Sequence, residues 1–82
     1  MTEAQIRREL TCIFREQFDD PTLDLRAETT ARDVDGWDSA RMVSIILAVE
    51  EAFEIEMSSR EIDAFACVGD FVALIHSRQR GA

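Results

Sequence analysis

The fold class predicted for this chain is all-α, and two features of the sequence predict it. Its 82 residues include one proline and three glycines, while Ala, Leu, Ile and Glu are common. Apolar side chains also recur at the spacing of a helix face in three separate segments. A chain of this length is expected to fold as one domain, residues 1–82, with a compact core and little room for a deep catalytic pocket.

The first helix is predicted over residues 3–18. Thr2 is a suitable N-cap, and Asp19-Asp20-Pro21 ends the helix because the residue before a proline avoids helical geometry. One face carries an apolar stripe, which consists of Ile6, Leu10, Ile13, Phe14 and Phe18. This pattern is typical of an amphipathic helix that packs against a core.

A long polar connection, residues 19–38, follows the first helix. Connections of this length are uncommon in small domains, so a short turn of helix is expected inside it. Leu23, Leu25 and Val34 are expected to hold the segment against the core. It ends at Asp35-Gly36, whose residue types favour a turn directly before the next helix.

The second helix, residues 39–54, is the most apolar. Its apolar side chains cover well over half of the circumference: Met42, Val43, Ile45, Ile46, Leu47, Val49 and Phe53. We therefore expect this helix to be central and buried on most sides. Ser58 and Glu61 form a capping box that opens a short helix ending near Ala64, and the last helix is predicted over residues 68–79.

The net charge of −8 is concentrated in the middle of the chain. Residues 19–38 carry seven acidic and two basic side chains, and residues 39–57 carry four acidic and one basic. This sign argues against nucleic acid as a partner and suits docking onto basic protein surfaces, although carboxylates also solvate a small domain. No apolar run is long enough to span a membrane, so a cytoplasmic location is expected. An acidic domain of this size is also expected to be a monomer.

The tripeptide Trp37-Asp38-Ser39 is the strongest candidate for a functional site. It places a hydroxyl at the start of the second helix, where unpaired backbone N–H groups and the helix dipole favour a phosphate. Ser39 can also be a plain N-cap, but Asp38 can cap the helix equally well and leave the Ser39 hydroxyl free. Trp37 is expected to be partly buried against the helices rather than to contact a partner.

Catalytic and metal sites find no support in the sequence. His76 is the only histidine and there is no G-x-S-x-G sequence, so a hydrolytic triad is excluded. A calcium loop centred on Gly36 would place Ala31 and Met42 at the two positions that require carboxylates. Cys12 and Cys67 lack metal-ligand spacing and are expected to be reduced, mostly buried thiols.

Three segments of the chain together resemble the acyl carrier protein family. The segments that carry the resemblance are Asp35-Gly36-Trp37-Asp38-Ser39, Glu50-Glu51-Ala52-Phe53-Glu54-Ile55 and Val68-Gly69-Asp70-Phe71-Val72. They match the family's D-S signature, the end of its central helix and the V-G-D opening of its last helix. The resemblance covers essentially the whole chain and implies a four-helix bundle. It also implies that the chain is a covalent carrier and not an enzyme.

The resemblance further implies which residues act. A phosphopantetheinyl transferase would attach 4'-phosphopantetheine from coenzyme A to Ser39, which follows the family's Asp38, and the arm's thiol would carry acyl groups as thioesters. Glu50 and Glu51 match acidic positions used in docking with loading and condensing enzymes, and Glu56 is a further candidate. The positions that match the lining of the space for a carried chain are Val43, Ile46, Leu47 and Phe65.

The chain departs from the family pattern at Ala40, Arg41, Ser44 and Cys67. The start of the central helix is therefore less acidic, and Arg41 is expected to contact partners differently, because it repels basic patches. The Gly-Trp-Asp-Ser form favours a carrier of a specialised bacterial pathway, such as polyketide, fatty-acid-like or aminoacyl biosynthesis. The alternatives are a housekeeping fatty-acid carrier, an unmodified interaction module with the same bundle, or a small enzyme.

Overall fold

The structure, a computed structural model, describes residues 2–81, and for Ser59, Arg80 and Gly81 it describes the backbone alone. Within these residues the chain forms four α-helices and one 3₁₀ turn. The helices are α1 (Glu3–Gln17), α2 (Ser39–Phe53), α3 (Ser59–Asp63) and α4 (Val68–Gly81), and the 3₁₀ turn is Ala31–Asp33. The predicted all-α class is confirmed, and the helix boundaries agree with the sequence prediction to within two residues.

Capping boxes set the start of α1 and α3. Thr2 Oγ1 accepts a hydrogen bond from the Gln5 backbone N–H at 3.2 Å, while Gln5 Oε1 accepts from the Thr2 N–H at 2.8 Å. Ser58 and Glu61 make the predicted capping box at α3, with bonds of 3.0 and 3.2 Å. Each box satisfies two N–H groups that a helix start would otherwise leave unpaired.

The core forms where α1 packs against both α2 and α4. The buried side chains from the helices are Ile6, Leu10, Phe14, Ile45, Ile46, Val49, Phe53, Val68, Phe71, Val72 and Ile75. Fully burying one aliphatic or aromatic side chain of this kind contributes about 1.5–3 kcal/mol relative to leaving it in water. The helix that packs against both α2 and α4, and so joins the two sides of the core, is α1.

The prediction that α2 is buried on most sides is wrong. Val43 and Leu47 are 61% and 62% exposed. The reason is the length of the neighbouring helix: at 1.5 Å per residue, the five residues of α3 span about 8 Å, against about 22 Å for α2. A helix this short covers only part of the flank of α2.

The connection between α1 and α2 is held against the core as predicted. Leu25 and Val34 are buried, and Leu23 is half-buried against the core cluster. Near its start, the Asp20 carboxylate accepts bonds from the Thr22 hydroxyl at 2.7 Å and the Thr22 N–H at 3.0 Å. These bonds hold the pKa of Asp20 below its ordinary value, because they favour the charged form. The 3₁₀ turn supplies the expected helical turn in this segment.

Backbone bonds join the same connection to the start of α4. The Val68 N–H donates to the Thr29 carbonyl at 2.8 Å, and the Gly69 N–H donates to the Ala27 carbonyl at 2.7 Å. A Cβ on Gly69 would lie 3.0 Å from the Ala27 oxygen, closer than most side chains tolerate. Glycine therefore allows the close approach by which the connection satisfies the first N–H groups of α4.

The two cysteines are free thiols, with Cys12 exposed and Cys67 half-buried. The prediction that both are mostly buried is wrong for Cys12. It lies two residues from both Leu10 and Phe14, which places it on the opposite face of α1 from the buried stripe.

None of the helices in residues 2–81 combines the length and the apolar character needed to cross a bilayer.

Candidate functional site

Asp38 is the N-cap of α2. Its backbone is extended, and its Oδ1 accepts a hydrogen bond from the Arg41 N–H at 2.8 Å. The first helical bond runs from the Met42 N–H to the Asp38 carbonyl at 2.8 Å. Ser39 is exposed, and none of the residues that the structure describes hydrogen-bonds to its hydroxyl. Of the two N-caps that the sequence allows, Ser39 and Asp38, the structure uses Asp38, which leaves the Ser39 hydroxyl available.

A tight turn delivers the chain to this position. Gly36 has a φ of +84°, a backbone conformation that side-chain-bearing residues rarely adopt. The Trp37 N–H donates to the Val34 carbonyl at 3.3 Å, and the Asp38 N–H donates to the Gly36 carbonyl at 3.0 Å. The predicted turn at this glycine therefore reverses the chain directly before α2 begins.

Trp37 holds the segment against two helices. Its ring stands edge-on to Phe14 of α1, with ring centres 4.9 Å apart and an interplanar angle of 84°. Its Nε1–H donates to the sulfur of Met42 on α2 at 3.1 Å. The indole is half-buried, so the prediction of partial burial is confirmed. The neighbours of Ser39 are thus fixed by the core rather than free in a loop.

Arg41 makes long-range contacts that local sequence patterns do not predict. Its Nη1 donates to the backbone carbonyl of Gln17 at 2.5 Å, although the two residues are 24 positions apart. Its guanidinium carbon lies 5.2 Å from the centre of the Phe18 ring. The side chain that the sequence predicts as a partner contact is therefore engaged with the end of α1.

An apolar cleft of about 740 Å³ opens beside Ser39. It lies between α2 and the α3–α4 segment, and its lining includes Val43, Ile46, Leu47 and Phe65. The structure thus brings together the four residues that the resemblance assigned to a carried chain. Phe65 stacks on Phe71 with ring centres 4.5 Å apart, which places an aromatic pair in the lining.

The cleft is also lined by residues that the sequence analysis did not predict as lining: Trp37, Met42, Ile62, Cys67 and Phe71. The position of Ile62 was predictable, since it is the apolar residue of the otherwise polar Ser59–Asp63 segment and is expected to pack against other apolar side chains. Cys67 stands directly before α4 and reaches the same cleft, but its spacing from the other residues gave no indication of this.

The three acidic residues predicted to meet partners differ in their surroundings. Glu51 and Glu56 are exposed. Glu50 is half-buried, and its Oε2 accepts a hydrogen bond from the Met57 N–H at 3.0 Å. Glu50 therefore orders the connection between α2 and α3, which leaves Glu51 and Glu56 as the more accessible charges.

The start of α2 fits an attached phosphate. The N–H groups of Ser39 and Ala40 lie in the first helical turn, and none of the described residues accepts from them. Such groups and the positive end of the helix dipole would stabilise a phosphate ester at this position. The apolar cleft beside it suits an apolar chain attached through that phosphate. Fold and site together define a small attachment domain, in which a prosthetic group joins a helical bundle.

Comparison with known proteins agrees with this class. The sequence profile of the phosphopantetheine attachment-site family matches residues 8–75. An acyl carrier protein from Prochlorococcus marinus (strain MIT 9515) is 28% identical over 79 residues, which cover 96% of this chain and 99% of that protein. The solution structure of a holo acyl carrier protein from Geobacter metallireducens matches with a TM-score of 0.86 at 33% identity, over 92% of this chain and 86% of the other.

The chain therefore belongs to the phosphopantetheine-binding acyl carrier protein family. It is a carrier and not an enzyme, and its prosthetic group is 4'-phosphopantetheine.

Proposed function

We propose that Ser39 is the attachment residue and that residues 1–82 form one carrier domain of a specialised biosynthetic pathway. The observation that carries the assignment is the exposed Ser39 hydroxyl in the first turn of a helix that Asp38 caps. The serine also lies inside the matched family segment, residues 8–75. The arm, once attached, supplies a thiol that holds acyl groups as thioesters.

The chain's own part in the attachment is to present a nucleophile. The Ser39 oxygen attacks the phosphorus of coenzyme A that bears the pantetheine, and adenosine 3',5'-bisphosphate leaves with the electrons of the broken P–O bond. The hydroxyl proton passes to a base of the phosphopantetheinyl transferase. The Ser39 and Ala40 N–H groups at the start of α2 would stabilise the charge of the new phosphodiester.

The cleft beside Ser39 is proposed to shelter the apolar part of the cargo. Val43 and Leu47 are more than half exposed, so covering them with an acyl chain removes apolar surface from water. By the usual area relation this contributes about 1–2 kcal/mol for each side chain. Ile46 and Phe65 complete the lining. The cleft therefore favours an apolar acyl group over a highly charged one.

Docking belongs to the same proposal. Glu51 and Glu56 are exposed on or next to α2 and suit basic surfaces on the transferase and on loading and condensing enzymes. Glu50 is proposed to contribute less to docking, because its carboxylate already accepts a hydrogen bond from the Met57 N–H. Similarity to a bacterial carrier supports the predicted cytoplasmic location. The protein is also proposed to be a monomer.

A specialised pathway is favoured by the start of α2. Ala40, Arg41 and Ser44 leave the first half of this helix with no acidic side chain after Asp38. A partner enzyme that binds this half of α2 needs a different surface from an enzyme that binds an acidic helix. Comparing kcat/KM for loading by a housekeeping malonyl transferase and by polyketide or aminoacyl loading enzymes tests this point. Faster housekeeping loading would overturn the specialised assignment.

Intact-mass spectrometry tests the attachment site. The purified chain is incubated with coenzyme A, Mg²⁺ and a promiscuous phosphopantetheinyl transferase, alongside Ser39→Ala. Ser44→Ala is the matched control, since it removes another exposed hydroxyl from the same helix. We expect one phosphopantetheinyl group on the wild type and on Ser44→Ala, and none on Ser39→Ala.

Incorporation into Ser39→Ala would move the site elsewhere. If the folded wild type stays unmodified with its cognate transferase as well, the unmodified interaction module replaces the proposed carrier. Circular dichroism of each variant shows that the helices are intact.

A further inference from the structure

Arg41 links three parts of the molecule around Ser39. Its backbone N–H donates to Asp38 Oδ1 at 2.8 Å, and its Nη1 donates to the Gln17 carbonyl at 2.5 Å. Its guanidinium lies over the Phe18 ring, 5.2 Å from the ring centre. A single side chain thus connects the first turn of α2 with the last residues of α1.

The end of α1 is a suitable acceptor for this cation. Gln17 is the last helical residue, so the helix itself offers its carbonyl oxygen no N–H partner. The negative end of the helix dipole also lies here and attracts a positive charge. A planar guanidinium can donate to the carbonyl and stack on the ring at the same time, which the ammonium of lysine does less well.

The Phe18 ring also lies near the turn that precedes Ser39. A Cβ placed on Gly36 would lie 3.9 Å from this ring, so the ring is adjacent to the turn that precedes Ser39. The ring therefore lies near the turn before Ser39, while Arg41 holds the first helical turn after it. Phe18 and Arg41 thus join the first turn of α2 to the end of α1, next to the turn at Gly36.

We propose that Arg41 is a positioning residue, which holds the first turn of α2 against the end of α1 and so presents Ser39 to the phosphopantetheinyl transferase. The proposal rests on the attachment at Ser39 proposed above. It assigns Arg41 a role within the chain, in place of the direct partner contact that the sequence predicts. A nucleophile that is already held in place loses less conformational freedom when the reactive complex forms.

The kinetic test compares kcat/KM for phosphopantetheinylation in several variants. Arg41→Ala is expected to lower it by about five- to thirtyfold, while incorporation still reaches completion. Phe18→Leu removes the stacking ring without changing a residue of α2 and should also lower kcat/KM. The double variant Phe18→Leu, Arg41→Ala should lower kcat/KM no further than the more impaired of the two single variants. Arg41→Lys should fall between the wild type and Arg41→Ala, and Arg8→Ala on the exposed face of α1 is the control.

Hydrogen exchange of the free protein supplies a readout without any partner. We expect exchange at the backbone amide of residue 41 to rise by about three- to tenfold in Arg41→Ala and Phe18→Leu. Amides of Val49 and Ile75 should be unchanged, which separates a local effect from a loss of global stability.

Direct docking would give a different result. If Arg41 only contacts the transferase, Phe18→Leu and Arg41→Lys react like the wild type, and exchange at the backbone amide of residue 41 is the same in all variants. That pattern would overturn the positioning role while leaving attachment at Ser39 intact. If the wild type is never modified, the attachment proposal fails, and the exchange data still decide whether Arg41 orders this turn.

Discussion

Gly36 is the residue whose backbone constrains the site most. Its φ of +84° belongs to a region that costs other L-residues roughly 1–2 kcal/mol. The turn it makes brings Trp37 and Asp38 into the positions from which they hold the start of α2. The conformation of one glycine is therefore a condition for the placement of Ser39.

Gly36→Ala is expected to lower the free energy of unfolding by about 1–2 kcal/mol, because the added Cβ is strained at positive φ. The space around the residue is open enough for a Cβ, with the Phe18 ring 3.9 Å away, so strain and not a clash is the cause. Gly36→Asn is the matched control and should lose less, since asparagine tolerates positive φ better. Chemical denaturation of the three proteins measures the difference, and an alanine variant as stable as the wild type would contradict the argument.

Residue types alone predicted part of the site. Local sequence identifies Asp38 and Ser39 as the two side chains able to cap α2, because each has an oxygen that suits that position. The contact of Arg41 with Gln17 could not be predicted in the same way. It depends on where α1 ends in space relative to the start of α2, and no local preference encodes that relation.

At the scale of whole elements, α2 combines a buried face and an exposed apolar flank. Its apolar pattern correctly predicted a helix, and the capping and turn residues gave the boundaries. The exposure of Val43 and Leu47 was missed because it depends on how much of the helix α3 can cover. Periodicity reports which residues are apolar, whereas burial depends on neighbouring elements.

The exposed flank predicts a specific effect of cargo on stability. An octanoyl group on the arm should raise the Tm of the wild type, because it covers Val43 and Leu47. In the double variant Val43→Ser, Leu47→Ser the unloaded form should keep its stability within about 0.5 kcal/mol, as exposed sites usually do. The rise in Tm on acylation should be at least halved.

Calorimetry of the loaded and unloaded forms checks this effect. Ala73→Ser, an exposed change on α4, serves as the control and should leave the rise in Tm unchanged. An equal rise in the double variant would mean that the chain is sheltered elsewhere or not at all.

For the whole molecule, charge is the dominant property. The net charge of −8 lies on a domain with a radius of gyration of 11.6 Å, and the acidic residues concentrate between positions 19 and 57. A field of this sign accelerates encounter with basic surfaces and is screened by salt. The electrostatic character was predictable from composition, since it needs no knowledge of the packing.

We expect kcat/KM for phosphopantetheinylation to fall about tenfold between low salt and roughly 0.3 M salt, because screening weakens the attraction between the partners. The double variant Glu51→Gln, Glu56→Gln should show a shallower dependence. Glu9→Gln, which removes an exposed charge from α1, should retain the wild-type slope. Stopped-flow kinetics over a series of salt concentrations measures how steeply kcat/KM depends on salt. A rate independent of salt would show that electrostatic steering does not accelerate the encounter.

The position of Trp37 also gives the protein a built-in optical probe. The chain has one tryptophan and no tyrosine, so its near-ultraviolet emission arises essentially from this indole. The indole lines the cleft two residues from Ser39 and donates to the Met42 sulfur. An acyl chain that enters the cleft displaces water from the ring and shifts the emission to shorter wavelength. If the cargo enters the cleft as proposed, we expect its loading and unloading to be visible in real time in the emission of the unlabelled protein.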